Sequence, residues 1–389
     1  MSRLTETLDL LVGFKPNRAL PFSLKQLLGV LVKHDGQNLH INAGSPPILR
    51  LDKELVPIGD TALSHEDCKA FVLNELNPEQ RSALLQGHEV DFLHSDSGQG
   101  FRFHAYLERG CPSLSLRRVR SDMPKLMQLG LSGGAVERFL RESQGMMVVA
   151  GKPRCGKITT FSALVSHINQ TRRARILTVE PKVQYWHKNQ EGIVLQRELG
   201  LDTASFPQAI RQALNQDPDI LAVGGIPDSE TLELLLQAAS SGLLVVALMD
   251  ASSCIRALEH LLAAMNSEDR RVRYFLSRVI RLVVAQHLVQ RSDGRGQLAA
   301  FEVLECTPYV AESIASGEVS HLHHTMRDSG MQTLARHLSR LVEVGSITRE
   351  EAAQYVDPAE LELVQHQPGA PTLPEPTTVE ASDPLMSWL

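Results

Sequence analysis

Short apolar runs alternate with amphipathic segments over much of the second half of the chain. The apolar runs, which predict buried β-strands, lie at residues 146–150, 175–179, 220–223 and 243–248. Apolar residues with helical spacing lie at residues 136–141, 157–168, 206–215 and 229–239. Continuously apolar strands that alternate with helices are typical of a parallel sheet covered on both faces. The pattern therefore predicts an α/β domain.

The first third of the chain has a different pattern. Residues 22–32 and 64–85 have helical periodicity, and Ser64 is suited to cap the second helix. In residues 38–51, alternating apolar residues flank a Gly-Ser-Pro-Pro turn, which predicts a β-hairpin. Further short strands are predicted at residues 90–93, 100–107 and 113–119. These elements predict a smaller, PAS-like α+β domain.

The same patterns divide the chain into four segments. They are an N-terminal extension at 1–21, the α+β domain at 22–130, the α/β domain at 131–364 and a tail at 365–389. The α/β domain ends with an edge hairpin, 283–289 and 298–303, and several helices. The tail is rich in proline, threonine and acidic residues, so it is predicted to be disordered because it cannot bury enough apolar surface.

Composition narrows the class of protein. Of the 389 residues, 43% are hydrophobic and 22% are charged, which is typical of globular domains rather than fibrous or disordered chains. A net charge of −6 gives no electrostatic reason to expect a nucleic-acid partner, so none is predicted. The five cysteines include no CxxC pair, so we expect reduced thiols and no metal site.

No segment has the pattern of a membrane or export signal. The most apolar run, 243–249, is far shorter than the roughly 20 residues of a membrane helix. The first 20 residues contain acidic side chains and no small-residue cleavage site, unlike a secretory signal. We therefore expect a cytoplasmic protein without a transmembrane segment.

A phosphate-binding motif follows the first strand of the α/β domain. From Gly151 to Lys157 the sequence GKPRCGK has the glycine and lysine spacing of a P-loop, and it lies between a predicted strand and a predicted helix. In such a loop, backbone amides at the helix N-terminus hold phosphate and the lysine contacts its oxygens. The predicted phosphate-binding residues therefore include Gly151, Gly156 and Lys157. A glycine turn without a ligand remains the alternative.

Several residues of this loop depart from the motif. The residue after the lysine should be Ser or Thr, whose hydroxyl ligates Mg²⁺, but it is Ile158. Thr159 lies about 100° further around the helix and cannot simply replace it. Arg154 is bulky where glycine would tolerate an unusual φ, although its charge could hold an anion, and Cys155 precedes Gly156. We expect ATP binding to be weakened and Mg²⁺ binding to be impaired.

Ordered blocks in both domains of the chain resemble the type IV pilus retraction ATPases, a PilT/PilU-like family within the secretion-ATPase superfamily. The first domain contains NLHINAGSPPILRLD and FRFHAYLERG, the second of which is followed by LRRVRSDMP. The second domain contains ILTVEPKVQYWH, LQRELG, ALNQDPDILAVGGIPDSET, SSGLLVVALMDASS and SGMQTLARHLSRLVEVGSITREEA. The resemblance covers residues from about 22 to 364.

The resemblance implies a fold, a set of partners and further site residues. It implies a RecA-like P-loop domain and a hexameric ring with nucleotide sites between subunits. It implies association with PilT-like ATPases and with an inner-membrane pilus platform protein, so the cytoplasmic protein would lie peripherally at that membrane. It also implies that Arg102 and Arg117 of the first domain face nucleotide, and that Glu180 is a catalytic carboxylate.

The chain departs from this family where catalysis would occur. The replaced positions are the Walker B glutamate (Gly225), the Walker A hydroxyl (Ile158), two acidic-box carboxylates (Pro181 and Gln184) and two histidines (Leu243 and Asp250). Of the acidic box, only Glu180 remains. Loss of one such group commonly reduces the rate of phosphoryl transfer about 10²- to 10³-fold.

Three functions remain open. The favoured one is a degenerate ATPase that acts as an accessory or regulatory subunit of a pilus motor, with weak or no ATP hydrolysis. The second is an active retraction motor with an altered site, in which Arg154 and Glu180 compensate for the losses. The third is a nucleotide-independent scaffold protein that does not form rings.

Overall fold

A computed structural model describes residues 22–51, 54–131, 134–265 and 270–365. The predicted N-terminal extension lies outside these residues, as does the predicted tail apart from residue 365. The chain forms two compact units, with the division between Ser121 and Asp122. No helix in the described ranges combines the length and hydropathy needed to cross a lipid bilayer.

In its described residues, the first unit is an antiparallel sheet with three helices. Its strands are β1 Asn38–Ile41, β2 Ile48–Leu51, β3 Glu54–Pro57, β4 Val90–Asp96, β5 Gln99–Glu108 and β6 Cys111–Arg118. They are ordered β3-β2-β1-β6-β5-β4. The helices are α1 Leu24–Lys33, α2 His65–Asn74 and α3 Pro78–Leu85. The predicted α+β unit and its first hairpin, β1 to β2, are confirmed.

The single helix predicted over residues 64–85 is wrong, because the structure has two helices there. Ser64 caps α2 as predicted, and its hydroxyl accepts from the amide of Asp67. The chain then restarts at Asn77, whose side chain accepts from the Gln80 amide at 2.8 Å. Pro78 cannot continue a preceding helix, since its ring displaces the residue before it from helical geometry. Apolar periodicity alone did not reveal this break.

The second unit is a seven-stranded, mostly parallel sheet. Its strands are β7 Gly145–Gly151, β8 Arg175–Glu180, β9 Ile193–Glu198, β10 Ile220–Val223, β11 Leu244–Asp250, β12 Ile280–Gln290 and β13 Gln297–Glu305. They are ordered β13-β12-β7-β11-β10-β8-β9, and only β13 pairs antiparallel. The α/β class and the edge hairpin of β12 and β13 are confirmed. Strand β9 was not predicted, because polar residues interrupt its apolar pattern at this sheet edge.

Helices cover this sheet on both sides. They are α4 Gly134–Arg141, α5 Lys157–Thr171, α6 Phe206–Leu214, α7 Ser229–Ser240, α8 Cys254–Ala264, α9 Arg270–Val279, α10 Pro308–Ser316, α11 Leu322–Asp328, α12 Leu334–Glu343, α13 Arg349–Ala352 and α14 Pro358–Gln365. Along β7, Met146 and Val148 pack into one hydrophobic core, whereas Met147 and Val149 pack into another. Successive strand side chains point to opposite faces, so a strand buried on both faces must be continuously apolar.

The sheet places the phosphate loop and its neighbouring residues at the carboxyl ends of the strands. The parallel strands β7, β8, β10, β11 and β12 all run in one direction, so their carboxyl ends lie on the same side. In an open α/β sheet, ligands bind outside these ends. Gly151 lies there between Asp250 and Gln286, because the pairing of β7 with β11 and with β12 places one of them in register on each side.

Candidate functional site

The phosphate loop connects the end of β7 to the start of α5, as the sequence predicted. Gly156 caps the helix with φ of +85°, and it has no side chain to occupy the helix amides. A Cβ atom on Gly151 would overlap the Cys155 sulfur and lie 2.9 Å from the Gln286 carbonyl oxygen. Arg154 has φ of +64°, the left-handed region that favours glycine. The loop thus has the tight backbone of a phosphate cradle, with one non-glycine residue held in an unfavourable conformation.

The lysine of the loop is folded back onto the loop itself. The Lys157 Nζ atom donates hydrogen bonds to the carbonyl oxygens of Gly151 at 2.6 Å and Lys152 at 2.8 Å. It also forms an ion pair with Asp250 Oδ1 at 2.9 Å. Asp250 ends β11 directly beside Gly151, so the carboxylate belongs to a neighbouring strand rather than to the loop. The sequence identified Asp250 only as a replaced histidine and did not reveal this pair.

The first turn of α5 offers no hydroxyl that is directed to the loop. Ile158 packs against the hydrophobic core beneath the helix. The hydroxyls of Thr159 and Tyr185 lie 3.3 Å apart and hydrogen-bond to each other. The hydroxyl of Thr160 donates to Gln286 at 2.7 Å. The Thr159 hydroxyl is thus paired with Tyr185, while its predicted failure to replace the missing hydroxyl stays a prediction.

These residues fit phosphate better than they fit a metal ion. The loop backbone and Lys157 are of the kind that hold phosphate oxygens. Mg²⁺ requires oxygen ligands, and Ile158 has none to contribute. Across the described ranges, no three His, Cys, Asp or Glu side chains are grouped so as to hold a metal ion.

Gln286 fastens the loop to the sheet. This side chain lies on β12 and is only 2% exposed. Its Nε2 donates to the Cys155 carbonyl oxygen at 2.8 Å, while its Oε1 accepts from the Thr160 hydroxyl. It therefore holds both the loop and the first turn of α5. Sequence analysis missed Gln286, although a single amide within an apolar strand was a signal that could have identified it.

The thiol of Cys155 is a packed group rather than an activated nucleophile. Burial raises its pKa, and the nearby Lys157 opposes that effect only in part. All five cysteines lie in the described residues and are free thiols. Cys155 therefore contributes to the site through its backbone and its volume.

Glu180 lies at the end of β8 and is 3% exposed. Its Oε1 accepts from the Thr178 hydroxyl at 2.7 Å and from the Gln196 side-chain amide at 3.1 Å. Burial raises its pKa to about 7; these hydrogen bonds oppose the rise, and the charge of Glu198 adds to it. Gln196 also donates to the carbonyl oxygen of Tyr185, so it links β9 to the segment that follows Glu180. A carboxyl group with this pKa can exchange a proton near neutral pH.

Two glycines follow β10 where the family has its Walker B glutamate. A Cβ atom on Gly224 would lie 2.7 Å from the Pro181 ring, so this position requires glycine. A Cβ atom on Gly225 would lie 3.4 Å from the ring of Phe206, which is ordinary van der Waals contact. Packing therefore permits a side chain at 225, and the missing glutamate is a property of this sequence rather than of the fold.

The structure places Arg102 and Arg117 together in the first unit. They face each other as partners on β5 and β6. Partial burial and the charges of Arg120 and Arg102 lower the pKa of Arg117. Three clustered guanidinium groups form a positive patch, while the predicted role of Arg102 and Arg117 at nucleotide stays a prediction.

Comparisons with known proteins show which family this chain resembles. The family model described as "Type II/IV secretion system protein" matches residues 101–354. The type IV pilus ATPase PilU of Pseudomonas aeruginosa is 34% identical over 340 residues, which cover 86% of this chain and 89% of that protein. The retraction ATPase PilT of the same organism is 31% identical over 336 residues, which cover 85% and 97%.

A solved structure agrees with these sequence matches. The crystal structure of the pilus retraction motor PilT with bound ADP superimposes with a TM-score of 0.73 at 28% identity, covering 88% of this chain and 99% of that chain. The predicted RecA-like fold class is therefore confirmed. By sequence and by fold, this chain belongs to the type II/IV secretion system proteins, as a PilT/PilU-like type IV pilus ATPase.

Proposed function

We propose that this chain is an accessory or regulatory subunit of a type IV pilus motor that hydrolyses ATP weakly or not at all. The observation that carries the proposal is the packing of Ile158, partly buried, against the hydrophobic core at the position expected for the Mg²⁺-binding hydroxyl. The absence of a carboxylate at Gly225 supports it independently. Both positions lie in segments with the fold of an active relative, so the scaffold is retained while its catalytic groups are not.

We also propose that the loop retains a capacity to bind nucleotide phosphate. Gly151, Arg154, Cys155, Gly156 and Lys157 supply the loop backbone and its charges, while Ile158 and Thr159 supply amides at the first turn of α5. Arg102 and Arg117 would add positive charge in the assembled protein. Hydrolysis of bound ATP would cleave a phosphoanhydride bond. The chain lacks the groups that would position Mg²⁺ and water for this reaction.

The second candidate is an active motor with an altered site. The pKa of Glu180, about 7, favours this candidate, because a general base works best when its pKa is close to the working pH. Against it, one Glu180 oxygen already accepts two hydrogen bonds and the side chain is buried. This arrangement supports a structural or positioning role for Glu180 more directly than a role in activating water.

The proposed partners follow from the family. We expect assembly into a hexameric ring, either of this chain alone or mixed with an active PilT-like ATPase, and contact with an inner-membrane platform protein. A cytoplasmic location at that membrane would accompany such contacts. A nucleotide-independent scaffold remains the third candidate, and it predicts no ring.

Restoration of both missing groups tests the proposal. The full-length wild type should bind Mg-ATP poorly and hydrolyse it at least about 100-fold more slowly than the double variant Ile158→Ser plus Gly225→Glu. The measurements are Mg-ATP affinity and steady-state ATP turnover. Wild-type turnover at the rate of an active motor, or tight and equal Mg-ATP affinity in both proteins, would contradict it.

A matched control separates chemistry from packing. The double variant Ile158→Ala plus Gly225→Gln introduces side chains close in shape to Ser and Glu without the hydroxyl or the carboxylate. It should remain as slow as the wild type. Thermal unfolding of all three proteins establishes that they are folded under the assay conditions.

A further inference from the structure

The ammonium group of Lys157 is engaged by two hydrogen bonds and one ion pair. An ammonium carries three N–H donors. Three oxygens lie within hydrogen-bond distance of Nζ: the carbonyl oxygens of Gly151 and Lys152, and Oδ1 of Asp250. A phosphate oxygen that binds this lysine must therefore displace one of these three.

The three oxygens differ in how readily they can be displaced. The carbonyls of Gly151 and Lys152 belong to the loop backbone, which Gln286 holds from below at Cys155. The Asp250 side chain is 72% exposed, whereas that of Lys157 is only 12% exposed. Ion pairs with an exposed partner contribute little net free energy, because water and salt screen the exposed charge. Asp250 is therefore the oxygen that exchanges.

Asp250 also acts on the charge of the loop. Its carboxylate neutralises the lysine that would attract phosphate, and it would repel a phosphate group beside it. Both effects oppose the binding of an anion, and both originate on β11 rather than in the P-loop motif. The position is set by strand register, because Asp250 is the direct neighbour of Gly151.

We propose that the Asp250 carboxylate is an internal ligand of Lys157 that competes with the phosphate groups of nucleotides for the loop. Asp250 is thereby a residue that sets the affinity of the loop for nucleoside diphosphates and triphosphates. The inference deepens the proposed function and rests on its claim that the loop can bind nucleotide phosphate. It does not depend on Ile158 or Gly225, which concern Mg²⁺ and hydrolysis.

The test measures ADP binding to the full-length chain by titration calorimetry, with EDTA present so that Mg²⁺ plays no part. Asp250→Asn and Asp250→Ala should each bind ADP about fivefold more tightly than the wild type. Asp328→Asn removes the same charge from an exposed helix end and should leave the affinity unchanged. Inorganic pyrophosphate in place of ADP distinguishes recognition of phosphate from recognition of the nucleoside, and it should show the same gain.

A second background tests whether the effect passes through Lys157. In a Lys157→Met chain, Asp250→Asn should produce no gain, because the contested ammonium is absent. Equal ADP affinity of the wild type and both Asp250 variants would overturn the proposal, as would a gain that persists with Met at 157. Absence of ADP binding in every variant would also overturn it, yet it would leave the proposed loss of hydrolysis intact.

Discussion

At the scale of single residues, the site contains a buried carboxyl group whose protonation is linked to folding. Glu180 is enclosed at the end of β8, with Thr178 and Gln196 as hydrogen-bond donors. Glu198 is its register partner on β9 and is also buried. Two acidic side chains at adjacent buried positions favour the protonated form of one of them.

This arrangement predicts a pH dependence of stability. The Glu180 pKa is about 7 in the folded protein, against 4.5 for an unperturbed glutamate, so the folded state keeps a proton that the unfolded state releases. The contribution is fully present below about pH 4.5 and is lost as the pH rises through 7. Between pH 5 and pH 8, the free energy of unfolding of the wild type should therefore fall by about 2 to 3 kcal/mol more than that of Glu180→Gln.

Urea denaturation at several pH values between 5 and 8 measures this difference. The exposed helical Glu233→Gln serves as the control and should retain the wild-type pH dependence. If Glu180→Gln retained the wild-type dependence as well, Glu180 would not be the linked group.

At the scale of elements, the phosphate loop depends on a strand that is remote in sequence. Strand β12 is parallel to β7, and this pairing brings Gln286 beneath the loop. One amide then satisfies both the Cys155 carbonyl and the Thr160 hydroxyl. An unsatisfied buried polar group costs about 1 to 3 kcal/mol, so the amide is expected to matter for stability.

Replacement of this amide should therefore destabilise the domain. Gln286→Leu should lower the free energy of unfolding by about 2 to 4 kcal/mol, because it leaves two buried polar groups without their partner. Gln290→Leu is a matched control, since Gln290 lies on the same strand but is exposed. Its effect should stay within about 0.5 kcal/mol.

Addition of Thr160→Val to Gln286→Leu tests the same contact. The second substitution removes the unpaired hydroxyl, so the double variant should be less destabilised than the sum of the two single variants. Strict additivity in chemical denaturation would contradict a direct contact between these side chains.

At the scale of the whole molecule, the residues predicted to bind nucleotide lie in two different units. The phosphate loop, Glu180 and Asp250 belong to the second unit, while Arg102 and Arg117 belong to the first. The matches to PilU and PilT cover 86% and 85% of the chain, so they extend over both units. The proposed ring assembly is therefore tested on the whole chain rather than on one unit.

Light scattering tests that assembly. The full-length chain should give a particle of six chains, either alone or after mixing with an ATP-hydrolysing PilT. The physical reason for this expectation is that ring subunits join through surfaces of their fold, so a chain with the family fold is expected to carry such surfaces. A single-chain mass in both conditions would favour the nucleotide-independent scaffold.

Local patterns in the sequence determined much of this fold. The predominantly apolar runs identified β7, β8, β10 and β11, because a strand buried on both faces carries few polar residues. The glycine and lysine spacing located the phosphate loop, and Ile158 revealed the missing hydroxyl without a structure. These features depend on neighbours along the chain, which a sequence displays directly.

The tertiary structure alone decided which distant residues meet at the loop. Asp250 and Gln286 lie about 100 residues or more beyond Lys157, and only strand order and register bring them to it. Strand β9 was likewise visible only in its pairing with β8, since the polar residues in its second half interrupt its apolar pattern. Periodicity along a chain reports burial at each position, but it carries no information on which strand lies beside which.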